Sequence, residues 1–356
     1  MPCGPIYSYW ISLMDIIFSE KHKLRDSQTE LYGGQLVYPH ERPSRMEYIL
    51  KRLEETGFGQ IHAPDDFGMD PIRAIHDDDF IEFLKHAWAD WEKEGFKGEA
   101  IASNWPAKRM SAKRPNHIEG KLGYYSLAAE TSISKGTWEA SYASAQVALT
   151  AAERVRNGAR CAFALCRPPG HHATADMYGG YCFLNNAAIA AQHLRNKGAA
   201  RVAILDVDFH HGNGTQDIFY ARDDVLFVSL HGDPMDAFPY YLGHADETGS
   251  GAGEGFTLNF PMPPKTGFGE WRKALLEGLD RIAGFAPDAL IISLGVDTFE
   301  NDPISFFKLT SNDYVTLGAD VAAAGLPTVF VMEGGYDIEE IGVNTVNTLI
   351  GFEKAL

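Results

Sequence analysis

Residues 202–214, Val-Ala-Ile-Leu-Asp206-Val-Asp208-Phe-His210-His211-Gly-Asn213-Gly, decide the fold. Four apolar residues run straight into two carboxylates and two imidazoles. Four other runs repeat the pattern. Cys161–Cys166 leads into Arg167-Pro-Pro-Gly-His171-His172, Val225–Leu230 into His231-Gly-Asp233, Ala289–Leu294 into Gly-Val-Asp297, and Thr328–Met332 into Glu333-Gly-Gly-Tyr336. Short apolar runs rich in β-branched residues and bounded by Gly and Pro read as buried parallel strands. Helix-like segments alternate with them from about residue 140 to the end. The pattern predicts an α/β fold with a mostly parallel central sheet flanked by helices. Ligands of open α/β sheets sit outside the carboxyl ends of the strands. The histidines, the aspartates and Tyr336 are therefore expected to converge on one crevice.

The bulk numbers fit an enzyme. Of 356 residues, 45% are hydrophobic and 22% charged, an ordinary globular composition. Linkers, repeats and low-complexity tracts are missing from the sequence, so residues 14–356 read as one catalytic domain. Residues 1–13 (MPCGPIYSYWISL) lack the basic start of a signal peptide, and their apolar stretch is too short and interrupted to span a bilayer. They read as a dispensable extension before a first strand at Asp15–Ser19. A net charge of −17 argues against a nucleic-acid surface and suits a cationic substrate through long-range attraction. Cys3, Cys161, Cys166 and Cys182 form no CxxC pair, and the last three lie in apolar contexts that suit buried free thiols. A reducing cytoplasm follows as the expected setting.

Upstream of the repeated pattern, residues 26–41 read as a surface loop. Arg42–Thr56 reads as a helix with Pro43 in its first turn and Gly57 at its end. Asp78–Lys93 is predicted helical, with a core-facing stripe of Phe80, Phe83, Leu84 and Trp88. Residues 95–120 have no clear period, and a loop that long inside a domain is often functional. Gly136–Asn157 reads as a helix of small residues suited to close packing on a sheet.

Asp208 and His210 lie two apart, which in a strand puts both side chains on one face. With Asp297 from a second strand they make a set of two carboxylates and one imidazole. Such a set binds a divalent transition metal and leaves positions open, as catalytic sites do. Asp206 shares that face and can orient a histidine or hold a monovalent cation. His171-His172 follows a turn stiffened by Pro168-Pro169, and an imidazole pair beside a metal can move a proton. Tyr336 reads either as an oxyanion donor or as a packed aromatic.

Six segments together resemble one family: RPPGHH at 167–172, GGYCFLNN at 179–186, DVDFHHGNGTQDIFY at 206–220, SLHGD at 229–233, GVDTFENDP at 295–303 and EGGY at 333–336. They are similar to the histone deacetylase and acetylpolyamine amidohydrolase superfamily, with its arginase–deacetylase fold. The resemblance implies one zinc per subunit bound by Asp208, His210 and Asp297, with His171, His172, Tyr336 and Asp206 as catalytic groups. It also implies a potassium ion near Asp206, Asp208, His210, Ser229 and Leu230. ELYGG at 30–34, the insert of about 100–123 and Glu130 resemble the acetylpolyamine amidohydrolase branch. That likeness implies a homodimer formed through the insert. It places Tyr32, Glu119, Glu130, Gly180, Tyr181 and Phe238 around an acetylated polyamine, with Tyr181 and Phe238 as aromatic walls. Deacetylation of acetyl-lysine in proteins is the alternative reading. An arginase-like di-metal centre would need a second cluster of ligating carboxylates, which Asp206–Gly212 does not supply. Asn213 departs from the nuclear-type deacetylases, which the family pattern gives an Asp there, and so His172 is expected to be less basic.

Overall fold

A computed structural model describes residues 14–356, so the expectation for residues 1–13 lies outside the described residues. Ten strands form among the described residues: β1 Asp15–Ile17, β2 Glu30–Tyr32, β3 Gln35–Val37, β4 Gln60–His62, β5 Cys161–Ala164, β6 Val202–Asp206, β7 Val225–Gly232, β8 Thr257–Met262, β9 Ala289–Leu294 and β10 Thr328–Met332. Strands β2 and β3 pair as a separate antiparallel hairpin. The other eight make one sheet in the order β4-β1-β5-β10-β9-β6-β7-β8, with every pair parallel.

All five apolar runs became strands, and β5, β6, β7, β9 and β10 are buried at every position. Successive side chains of a strand point to opposite faces. Along β6, Val202 and Ile204 enter one core while Ala203 and Leu205 enter the other. Helices Asp78–Lys93, Thr137–Arg156 and Asn186–Asn196 cover the first core. Helices Ser44–Thr56, Phe268–Phe285, Asp313–Ala322 and Ile341–Ala355 cover the second. The expected stripe packs as read: Phe80, Phe83 and Leu84 are buried in the first core, and Trp88 lies partly buried against it. Trimming a fully buried Ile204 or Leu205 to Ala would cost about 2–5 kcal/mol.

Some expectations need correction. The loop at 26–41 contains the β2–β3 hairpin, turning at Gly33-Gly34. Residues 95–120 end in a short helix, Ile118–Tyr125, too brief to impose a visible period. Strand β6 stops at Asp206, so Asp208 and His210 are not on a strand at all. They lie in the turn beyond it, and hydrogen bonds rather than strand alternation bring their side chains together. No helix among the described residues is long and apolar enough to cross a membrane.

Candidate active site

Strand order alone gathers the chemistry. The segments after β5, β10, β9 and β6 are neighbours at one edge, and they carry His171-His172, Tyr336, Asp297 and Asp206–His210 respectively. The turn after β6 is wound tightly. The Asp208 N–H donates to Asp206 Oδ1 (3.1 Å), Phe209 N–H to Asp297 Oδ1 (2.7 Å) and His210 N–H to Asp208 Oδ1 (2.9 Å).

The same turn brings the three candidate metal ligands to one point. His210 Nδ1 lies 2.9 Å from Asp297 Oδ2 and 3.3 Å from Asp208 Oδ1, all three residues being buried. Two buried carboxylates facing one imidazole require a positive charge between them. His210 reflects that demand. Burial opposes its protonation, but hydrogen bonds to Asp208 and Asp297 raise its pKa to about 10. A divalent cation would satisfy the same pair of carboxylates, so the donor set fits a metal ion. Gly334 closes the site: its N–H donates to Asp208 Oδ2 (2.8 Å), and a Cβ there would stand 2.6 Å from that oxygen.

The tandem histidines have opposite settings. His171 Nδ1–H donates to Asp206 Oδ2 at 3.0 Å. Burial opposes its charge, but Asp208 and Asp206 outweigh burial and raise its pKa to about 10. His172 Nδ1–H donates to the neutral Asn213 Oδ1 at 2.6 Å. Burial, then the charges of His171 and His210, hold His172 well below the usual imidazole value. The rings are 4.0 Å apart, centre to centre. A neutral His172 with its proton on Nδ1 keeps a lone pair on Nε2 for a proton.

Above these groups opens a cavity of about 260 Å³. His172, His210, Gly180, Tyr181, Phe238 and Tyr336 line it, joined by Tyr32 and Glu130. Phe238 stands edge-on to His172 at 5.1 Å, and Tyr181 is 5.5 Å from Tyr336. Gly180 has φ +55°, and a Cβ there would collide with the His172 ring. Burial keeps the Tyr336 phenol well above its ordinary pKa, against the Arg45 charge, so it stays a neutral O–H donor. Glu130 Oε1 accepts from Gly180 N–H (2.8 Å) and Thr131 Oγ1–H (2.9 Å). Ser229 sits opposite Asp206 in the β6–β7 register, with its Oγ 2.8 Å from His231 Nδ1, and Leu230 follows it, buried. Glu119 is not brought to the cavity of its own chain; it is exposed beside His117, 3.6 Å away.

Several residues at the site escaped sequence reasoning. Glu30 is buried on the cavity wall and accepts from the Tyr181 hydroxyl (2.7 Å) and His40 N–H (3.0 Å). Burial raises its pKa. Glu333 accepts from Gly170 N–H (2.6 Å) and His171 N–H (3.1 Å), and burial pushes its pKa up to about 8. Its signal in the sequence is a carboxylate directly after an apolar strand. Phe209, Asp236, Tyr240, Ile304 and Phe306 also line the cavity, and nothing local distinguishes them.

Comparison with known proteins matches residues 39–350 to the histone deacetylase domain. The chain belongs to the histone deacetylase family. It is 57% identical to an acetylpolyamine amidohydrolase of Mycoplana ramosa, across 95% of this chain and 99% of that one. It is 54% identical to acetylpolyamine amidohydrolase 1 of Pseudomonas aeruginosa, again across 95% and 99%. Among solved structures it is similar to an acetylpolyamine aminohydrolase from Burkholderia pseudomallei. The TM-score is 0.91 at 41% identity, covering 96% of this chain and 99% of that one. Family membership makes the chain a deacetylase-type amidohydrolase, and the eight-stranded parallel sheet agrees with that fold.

Proposed function

We propose that this protein hydrolyses the N-acetyl amide of small acetylated polyamines, releasing acetate and the free amine. One observation carries the reading. His171 paired with Asp206 and His172 paired with Asn213 stand beside Asp208, His210 and Asp297 at the floor of a cavity whose wall bears Glu30 and Glu130. The floor has hydrolytic chemistry and the wall has charge for an ammonium group. The relatives' names agree with both.

Asp208, His210 and Asp297 are the proposed zinc ligands of a single ion per subunit. Zinc, when bound, polarises an acetyl carbonyl and acidifies a water. His172 Nε2 takes a proton from the attacking water and passes it to the departing amine. His171, oriented by Asp206, gives electrostatic support to the negative charge that develops. The Tyr336 hydroxyl donates to the oxyanion. Tyr181 and Phe238 enclose the methylene chain with Gly180 and Tyr32 beside them, and Glu130 pairs with the distal ammonium. A structural potassium ion is proposed at Asp206, Asp208, His210, Ser229 and Leu230, supported by the pairing of Asp206 with Ser229 across β6 and β7.

A homodimer through the 100–123 insert is proposed as well. Lys108, Arg109, Lys113 and Arg114 are exposed there on a chain of net charge −17, so the insert is complementary to the rest of a second copy. Exposed Met110 in the insert and exposed Tyr241 and Leu36 elsewhere add apolar surface for such a contact. Glu119 would then face the partner's cavity. A single catalytic domain over residues 14–356 is proposed, and so is a cytoplasmic setting, which the buried free thiols of Cys161, Cys166 and Cys182 support. The deciding experiment compares turnover of acetylputrescine, acetylspermidine and an acetyl-lysine peptide. The polyamines are expected to lead. A peptide turned over faster than either would move the assignment to protein deacetylation.

A further inference from the structure

The turn that carries Tyr336 is held from two sides. On one side Arg45 Nε–H donates to Gly335 O (2.7 Å), and its terminal nitrogen donates to Glu333 O (2.5 Å). Arg45 is itself buried and paired with Glu41 at 3.1 Å. On the other side stands Asp302, also buried. Its Oδ2 accepts from Tyr336 N–H at 2.7 Å and from Asp337 N–H at 3.4 Å. Its Oδ1 accepts from Ile304 N–H at 3.1 Å. Ile304 and Phe306 line the cavity, so one carboxylate joins the tyrosine's backbone to a second lining segment.

We infer that Asp302 is a positioning residue for the reaction: by accepting the Tyr336 and Ile304 N–H groups together, it fixes the height of the Tyr336 phenol over the cavity floor. The inference rests on the reading of Tyr336 as the oxyanion donor. A phenol serves an oxyanion only within the narrow distance range of a hydrogen bond. Its ring is rigid, so its reach is set by where the backbone is pinned. Asparagine is nearly the same size as aspartate but carries one acceptor oxygen and one N–H₂ group. Whichever way the amide turned, its N–H₂ would meet a backbone N–H donor, at Ile304 or at Tyr336. One of the two anchors would be lost with little change in volume.

The test is a double-mutant cycle in the zinc-loaded enzyme with acetylputrescine as substrate. Asp302→Asn alone is expected to lower kcat about 10- to 100-fold with KM within about threefold of wild type. Metal content per chain should equal wild type. In a Tyr336→Phe background the same substitution should cost less than about twofold, because the group being positioned is gone. A full repeat of the loss in that background would overturn the inference and leave the role of Tyr336 standing. Metal depletion in Asp302→Asn would also overturn it, since Asp302 would then act through the metal ligands. Near-wild-type turnover by Tyr336→Phe alone would remove the reading of Tyr336 and the inference with it. If Asp302→Asn does not purify as a folded protein, Asp302→Glu carries the same cycle, keeping the carboxyl group while displacing both anchors by a methylene.

Discussion

At the floor of the cavity, Asp208, His210, Asp297 and the two tandem histidines are buried, and each makes a hydrogen bond to a named partner. At the rim, Tyr32, Asp236 and Tyr240 are exposed, Glu130 is only partly covered, and Glu119 stands away from the cavity of its own chain. The floor is enclosed and hydrogen-bonded, whereas the rim is open to solvent. The floor must be overdetermined because its charges are out of water, where an unpaired group is costly. The rim can be sparse because solvent, a substrate or a second chain supplies the missing partners. Under the proposed function, chemistry and selectivity fall to regions under different physical constraints, and substitutions should separate them.

The largest effect should come from the floor. Chelation or Asp208→Ala should bring amidase turnover to background, with metal well below one per chain by elemental analysis. Zinc or cobalt should restore the chelated wild type. Full activity in a metal-free sample would break the comparison outright. Tyr336→Phe should follow, lowering kcat about 10²–10³-fold with substrate affinity largely kept. Wild-type turnover would make Tyr336 a wall residue and shift it from floor to rim.

Next comes the rim. Glu130→Gln keeps the oxygen that Gly180 N–H needs but removes the charge. The kcat/KM for acetylspermidine or acetylputrescine should fall by about one to two decades, and that for a neutral acetamide of equal length far less. Raised salt should narrow the gap. Equal losses on charged and neutral substrates would show that Glu130 supports the floor through Gly180. A smaller effect should follow from Asn213→Asp, which places a carboxylate against His172 Nδ1. A carboxylate favours the protonated ring, so the His172 pKa rises. Because the base must be neutral, the acid limb of the kcat/KM profile should move to higher pH, by about one unit. An unmoved limb would mean that another group titrates there. Smallest of all, starting the chain at Met14 should leave turnover and melting temperature unchanged. The Met14 carbonyl still accepts Gln60 N–H in that shorter chain, so the first strand keeps its edge contact. Insolubility of the shorter chain would show that residues 1–13 pack on the body.

The floor was legible in sequence because buried strands and their abrupt polar ends leave a contiguous signature. Asp208, His210 and Asp297 converge as expected, although by a hydrogen-bonded turn and not by strand alternation. Glu30 and Asp302 were not legible in role. Each acts through a partner distant in sequence, Tyr181 or Tyr336, and no local spacing records such a contact. The hairpin β2–β3 and the edge strand β4 were missed for another reason. With only three residues each and mostly exposed side chains, they carry too little periodicity to read.

The strand order has a consequence for how the molecule comes into being. Strands β4, β1 and β5 form one block, and β6, β7 and β8 another, while β9 and β10 are the pair that joins them. These two are made last. Until residue 332 has left the ribosome, β5 lacks its inner neighbour and the blocks share no complete sheet. Strand β10 pairs with β5 on one side and β9 on the other, and the β5 pairing joins segments far apart in sequence, the kind of contact that slows folding. The nascent chain must hold two open, apolar strand edges for that interval, and such edges invite association with other chains. Because Asp297 and Tyr336 follow those same two strands, pairing of β9 and β10 into the sheet also assembles the proposed reaction centre.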